Sequence, residues 1–288
     1  MHLLLALPAP AKLNLFLHVT GRRADGYNEL QTAYALIELA DWLDFERRTD
    51  GTIVRDGDLI GGVKDDLAVR AAHALQQASG TSLGATISVT KRIPAGSGLG
   101  GGSSDAATAL IALNRLWDLN LPRAELSAMG LQLGADVPFF LHGHHAFAEG
   151  IGERVTTIEL PATWFAIVWP QVHVSTREIF SDARLTRNSK VTKIANFSAV
   201  AADAAGNLEL PSSLVNDLEP VARRRCPIID EAIKRLERFG AARMTGSGSA
   251  VFITARSREQ AELAVADMPS GWRTWVVRRL VEHPLAVW

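Results

Sequence analysis

Five glycines fall within positions 96–102, in the run Pro94-Ala95-Gly96-Ser97-Gly98-Leu99-Gly100-Gly101-Gly102-Ser103-Ser104-Asp105-Ala106-Ala107. So many glycines weaken a core element, because glycine gives up more backbone freedom on folding than any other residue. They allow close approach instead: without a Cβ, successive N–H groups can turn toward one guest and form a nest for an anion. The alanine- and leucine-rich segment 105–117 that follows is helical by propensity, and its free N–H groups and partial positive charge favour phosphate. Gly96, Gly98 and Gly101 formally satisfy G-x-G-x-x-G. Lys91-Arg92-Ile93-Pro94 separates them from the preceding strand, however, and no second strand ends in the acidic residue that a dinucleotide site needs. Gly96 and Gly101 have Walker-type spacing, yet Gly102-Ser103 stand where Lys-Ser or Lys-Thr is required. A flexible linker fits poorly between a strand and a strong helix former. We read the cluster as a phosphate cradle of another kind.

Asp136 stands between Gly134 and Pro138, a bend that presents a carboxylate at the mouth of a helix. Such a group can cap the helix or take a proton from an alcohol, and the sequence by itself supports both. Lys12 and Asn14 are one alternation apart and share a strand face. Alone, Lys12 reads as a solvated lysine at a strand start. His142, His144 and His145 are close in sequence, but no Cys or paired Glu accompanies them, so they read as loop residues rather than zinc ligands.

The elements that must carry these groups follow from periodicity. Apolar residues alternate from Leu13 through Leu15 and Leu17 to Val19, a half-buried strand. Residues 21–26 form a loop with glycine at both ends. Strands are expected at 32–39, 42–47 and 85–89, and a helix at 65–79 with Asp65 or Asp66 near its cap. Beyond Pro161 the pattern restarts: strand 164–169, short helix 175–180, helix 227–239, then strand, helix and strand at 250–254, 257–267 and 272–277. Residues 188–193 and 201–206 are the expected mobile loops. This is an α+β chain of two lobes, 1–160 and 161–288, with a seam near 150–163.

The 288 residues suffice for one large domain or two ordinary ones. With 47% hydrophobic and 21% charged residues, the chain is neither collagen-like nor disordered. The lone Cys226 cannot form an internal disulfide, which favours a reducing, cytoplasmic setting. Thirty Lys+Arg against thirty-one Asp+Glu provide no electrostatic drive toward nucleic acid or an anionic membrane. The apolar run at 3–7 is too short and lacks the basic flank of a secretory leader, so the chain is read as starting at its mature N-terminus.

Pro-x-Gly-x-Gly-Leu-Gly-Gly-Gly-Ser-Ser resembles the phosphate-binding signature of the GHMP kinase superfamily. Two companion signatures are present: Ala9-Pro10-Ala11-Lys12-Leu13-Asn14-Leu15, and the glycine turn Met244-Thr245-Gly246-Ser247-Gly248-Ser249-Ala250-Val251-Phe252. Within the superfamily three segments resemble the 4-diphosphocytidyl-2-C-methyl-D-erythritol kinase family. They are Arg22-Arg23-Ala24-Asp25-Gly26-Tyr27-Asn28-Glu29-Leu30-Gln31-Thr32, Leu133-Gly134-Ala135-Asp136-Val137-Pro138-Phe139-Phe140-Leu141 and Glu149-Gly150-Ile151-Gly152-Glu153. The likeness runs from about residue 9 to 252. Asn28 stands where that family carries His, and Asp66 where it carries Asn.

The resemblance implies a ribosomal-protein-like first lobe and a ferredoxin-like second lobe. It implies an ATP- and Mg²⁺-dependent kinase of the non-mevalonate isoprenoid route, acting on the 2-hydroxyl of a small molecule that carries cytidine diphosphate. Residues 94–104 would hold ATP (Pro94, Ala95, Gly96, Ser97, Gly98, Leu99, Gly100, Gly101, Gly102, Ser103 and Ser104), with Asp66 near adenine. Asp136 would be the general base, assisted by Lys12. Asn14, Tyr27, Asn28 and Phe180 would bind substrate, with Tyr27 and Phe180 sandwiching the cytosine; Phe180 also reads as a core residue. Ser103 or Ser104 hydroxyls, or water, would complete the Mg²⁺ shell. The expected partners are that substrate alone, with no nucleic acid and no membrane, in a monomer or homodimer. Alternatives are a homoserine- or mevalonate-type kinase, or a non-catalytic nucleotide sensor or RNA-binding protein.

Overall fold

The alternation near the N-terminus belongs to a strand much longer than its apolar core. In the computed structural model, which describes residues 2–195, 197, 203 and 207–288, β1 (Leu3–Arg22) pairs antiparallel with β2 (Asn28–Arg48). Sequence periodicity splits β2 in two at Ala40-Asp41, whereas the chain continues through a β-bulge where Pro10 faces Ala40 and Ala11 faces Ile37. Asp41 is fully buried there and accepts the backbone N–H groups of Arg92 and Ile93. A polar residue that reads as a strand end is therefore the anchor of the loop after β4 (Gly84–Thr90).

With β1 along one edge of β2, β4 and β5 (Ala146–Gly150) share the other edge at opposite ends. β3 (Ile53–Gly57) runs parallel to β4, and β6 (Arg154–Thr157) antiparallel to β5. Helices α1 (Leu67–Ser79), α2 (Gly101–Leu116), α3 (Arg123–Leu133) and α4 (Val137–His142) cover one face of this sheet. The second sheet, in the order β10-β7-β9-β8, is antiparallel and comprises β7 (Trp164–Trp169), β8 (Arg243–Met244), β9 (Val251–Ala255) and β10 (Arg273–Arg278). It packs on the other face of the first: Leu13, Leu15, Phe16 and Ile37 share a cluster with Phe165, Ile167 and Phe252. Residues 9–19 are consequently buried on both faces, not on the single face that simple alternation predicts. A register shift between Asn14 and Phe16 turns Phe16 into the cluster of Leu13 and Leu15.

Beyond the second sheet lie α5 (Thr176–Ser181), α6 (Glu219–Arg225), α7 (Pro227–Leu236) and α8 (Arg258–Ala266). The last residues return to the first lobe, where Leu285 is buried against the α4 side of the core. Of the expected mobile loops, 188–193 is tied down: Ser189 N–H donates to the Val19 carbonyl (3.1 Å) and Thr192 N–H to Gln31 Oε1 (2.7 Å). Apart from Asp203, 201–206 lies outside the described residues. Among the described residues, no helix is long and apolar enough to cross a membrane.

His145 is locked into this framework. Its Nδ1 accepts the Leu36 N–H (3.1 Å), while Nε2 meets the Leu280 carbonyl at 2.9 Å. Burial, reinforced by Arg279, pushes its pKa down to about 4, and burial pushes that of His283 to about 3. The unfolded chain therefore binds more protons than the folded one below the ordinary histidine pKa. Stability is full above about pH 6.5 and falls as pH drops toward 4, on the order of 2–3 kcal/mol for His145. Thermal unfolding followed from pH 7 to pH 4.5 should show this slope, and His145→Gln should flatten it. Equal slopes in both proteins would remove His145 from the account.

Candidate active site

Three segments far apart in sequence meet at the glycine cluster. Gly96, Gly98 and Gly100 adopt φ of 65°, 80° and 79°, the left-handed region. A Cβ on Gly98 would stand 2.2 Å from the Thr245 carbonyl oxygen, so both backbone angle and space exclude a side chain. The loop is pinned by Lys12 N–H donating to the Leu99 carbonyl and Ala250 N–H to the Ser97 carbonyl, each at 3.0 Å. Gly100 occupies the N-cap of α2, which begins at Gly101 and not at Asp105 as helix propensity predicts. Gly101 lies so close to Ile93 that a Cβ would come within 2.9 Å of its Cγ2. Two cavities flank the loop. One, of about 350 Å³, is lined by Arg55, Asp66, Leu67 and Gly102; the other, of about 340 Å³, by Lys12, Asn14, Tyr34, Asp136, His173 and Phe180. Gly96, Gly98, Gly100 and Ser103 line both, so a ligand lying across them reaches from one cavity to the other.

The second cavity holds a charged centre. Lys12, only 3% exposed, carries its Nζ 3.5 Å from Asp136 Oδ2 and hydrogen-bonds Asn14 Oδ1. Asn14 is oriented in turn: its side chain donates to Thr32 Oγ1 and its backbone N–H to Thr245 Oγ1, both at 2.9 Å. Asp136 stands at the N-cap of α4 but makes no capping hydrogen bond; its Oδ1 accepts the Tyr34 hydroxyl at 2.8 Å. Burial pushes the Lys12 pKa down, opposed by the Asp136 carboxylate. Burial, followed by that same charge, raises the Tyr34 pKa well above its ordinary value, so the phenol remains a donor. Asp136 thus has one oxygen committed to Tyr34 and the other facing Lys12. Beside the glycine loop, this arrangement can accept a proton from a hydroxyl while a cation faces developing negative charge.

Residues 66–144 match the family model for the GHMP kinases N terminal domain, and residues 197–274 that for GHMP kinases C terminal. A 4-diphosphocytidyl-2-C-methyl-D-erythritol kinase from Herminiimonas arsenicoxydans is 51% identical over 283 residues, 97% of this chain and 96% of the relative. This chain belongs to that kinase family. A crystal structure of 4-(cytidine 5'-diphospho)-2C-methyl-D-erythritol kinase superposes with a TM-score of 0.81 at 36% identity, covering 94% of this chain and 98% of that one. A homoserine kinase from Cytophaga hutchinsonii, with a TM-score of 0.67 at 16% identity over 98% of this chain and 96% of its own, shares the fold alone. The chain is an enzyme, a kinase with the two-lobed GHMP fold.

In this kinase the residues expected from sequence are distributed unevenly. Pro94 to Gly98 and Gly100 to Ser103 line the first cavity. Leu99 is fully buried in the core, and Ser104 turns its hydroxyl to the Pro10 carbonyl (2.7 Å), so these two side chains hold the loop and do not face a ligand. Asp66 lines the first cavity with both oxygens engaged: Oδ1 accepts Ala68 and Val69 N–H, and Oδ2 pairs with Arg55. Phe180 lines the second cavity, whereas Tyr27, 61% exposed on the loop before β2, and Asn28 lie outside its lining. Sequence reasoning gave no individual role to Tyr34, His173 or Thr245, although Thr245 belongs to the glycine-turn signature. Tyr34 is one aromatic in a buried strand, and nothing local marks its hydroxyl as a partner of Asp136. His173 packs so close to Gly96 that a Cβ there would lie 2.0 Å from its Nδ1, a constraint visible only after folding.

Proposed function

We propose that this kinase transfers the terminal phosphate of ATP to the 2-hydroxyl of 4-diphosphocytidyl-2-C-methyl-D-erythritol, with Asp136 as general base and Lys12 as its electrostatic partner. The substrate follows from the named activity of the relatives and belongs to the non-mevalonate route to isoprenoids. The chemistry rests on one observation: the Lys12–Asp136 pair faces a cavity that joins the phosphate cradle through Gly96, Gly98, Gly100 and Ser103. The triphosphate lies over the glycine N–H groups and the start of α2, where the helix dipole favours its charge. The acceptor hydroxyl gives its proton to Asp136 Oδ2, because Oδ1 already accepts Tyr34. Lys12 stabilises charge on the transferring group, and Asn14 keeps the lysine directed at it.

Ser103 is the cradle hydroxyl available to Mg²⁺, since that of Ser104 is bonded to Pro10. So sparse a set of protein oxygens suits an octahedral ion carried mainly by phosphates and waters, which neutralises phosphate charge when bound. At the cytidine end Phe180 stacks on the base, with Tyr27 closing from the loop on its other face. Asn28 Oδ1, buried and without a hydrogen-bond partner among the described residues, is an acceptor for the cytosine amino group. The reading includes a cytoplasmic monomer or homodimer.

ADP release from ATP across a panel of alcohols tests the proposal. The cytidine-diphosphate-linked acceptor should give by far the highest kcat/KM, with homoserine and mevalonate inert. Equal turnover of an alcohol lacking the nucleobase would overturn it. Phe180→Ala should raise the acceptor KM about tenfold or more, at ~1–3 kcal/mol per stacked base, without moving the ATP KM. An unchanged acceptor KM would return Phe180 to the core.

A further inference from the structure

Asp66, the cap of α1, brings a carboxylate to the wall of the cavity beside the glycine loop, and the structure supplies a partner for that charge. Arg55 Nε stands 2.9 Å from Asp66 Oδ2, with the two side chains 2% and 14% exposed. The remaining guanidinium nitrogens donate to the carbonyls of Asp56 and Asp58, so the same side chain shapes the loop after β3. Arg55 and Asp66 both line the cavity beside the glycine loop, together with Asp58, Asp65 and Asp105. Lys91 lines it too, but its ammonium is held by Asp41 and Asp105. Arg55 is therefore the cation set against Asp66 and the neighbouring carboxylates at this end of the cavity.

We propose that Arg55 is the counter-charge that makes an acidic residue at position 66 compatible with a polyanionic nucleotide, and that the pair sets donor affinity from the wall of the cavity. The proposal rests on this cavity being the ATP site. Without Arg55, a partly buried carboxylate would face the donor uncompensated. With Asn at position 66 the α1 cap persists, because Asn and Asp cap equally well, and no charge is left to compensate.

A double-mutant cycle reads the pair directly. Arg55→Met should raise the ATP KM on the order of tenfold, with kcat and the acceptor KM within about threefold. The same change in an Asp66→Asn background should move the ATP KM by less than about threefold. Arg55→Gln, which removes the charge but keeps a polar donor near the position of Nε, should follow the same pattern and serves if Met at this position prevents folding. An unchanged ATP KM in the single variant, or an equal rise in both backgrounds, would overturn the proposal in favour of a purely structural loop contact. A native protein that does not turn over ATP would instead overturn the donor-site reading beneath it.

Discussion

Asp136→Asn is expected to lower kcat on the order of 10²–10⁴-fold while the ATP KM stays within about threefold. The substitution preserves shape: the Tyr34 hydroxyl can still donate to the amide oxygen at the Oδ1 position. What it removes is the carboxylate oxygen that faces both Lys12 and the cavity, since an amide nitrogen at the Oδ2 position cannot take a proton. A second consequence follows from electrostatics. The Asp136 carboxylate offsets the burial that pushes the Lys12 pKa down, so its loss pushes that pKa further down and weakens the cation as well. Steady-state kinetics with an independent ATP-binding measurement checks both halves. A variant that keeps near-native kcat would remove Asp136 from the proton-transfer step.

Lys12→Met should cost about 10²–10³-fold in kcat, comparable to loss of one preorganised donor to a transition-state oxyanion. Methionine is unbranched and close in length to the lysine stem, whose Cγ and Cε lie beside Gly100, so the fold should tolerate the change. The ATP KM should move little, because the ammonium faces Asp136 and Asn14 rather than the first cavity. Combining the two substitutions should cost far less than the product of the single effects, since the groups act on one proton and one phosphoryl group as a unit. A kcat within tenfold of native for the single lysine variant, or full additivity in the double, would show that the assigned roles are wrong.

The parts of the site that were legible in the sequence are those whose chemistry is local. The glycine cluster is legible as a loop of close backbone approach, because residues without a Cβ readily reach φ of 65° to 80°, here at the alternate positions 96, 98 and 100. Asp66 was expected near a helix cap and does cap α1, a contact between neighbours in sequence. Where tertiary partners intervene, local reading fails in definite ways. Asp41 interrupts an apolar run and looks like a strand end, yet its burial is met by amides about 50 positions away. Ser104 belongs to the signature but spends its hydroxyl on Pro10. The segment 188–193 is polar enough to look mobile, yet it is hydrogen-bonded to β1 and to Gln31 of β2.

Residue types and spacing by themselves pointed to an α+β chain with a non-Walker, glycine-rich anion nest, and only the resemblance of its motifs to a known family pointed to a kinase, because backbone permissiveness and helix dipoles are properties of short segments. Folding decided which oxygen of Asp136 is available, through a Tyr34 hydroxyl 102 positions away, and how Lys12 is aimed, through an Asn14 held by Thr245 231 positions away. Such pairings depend on strands and turns brought together by a common core. Ångström-level separations between side chains are set by that long-range packing, and no local pattern of residues encodes them.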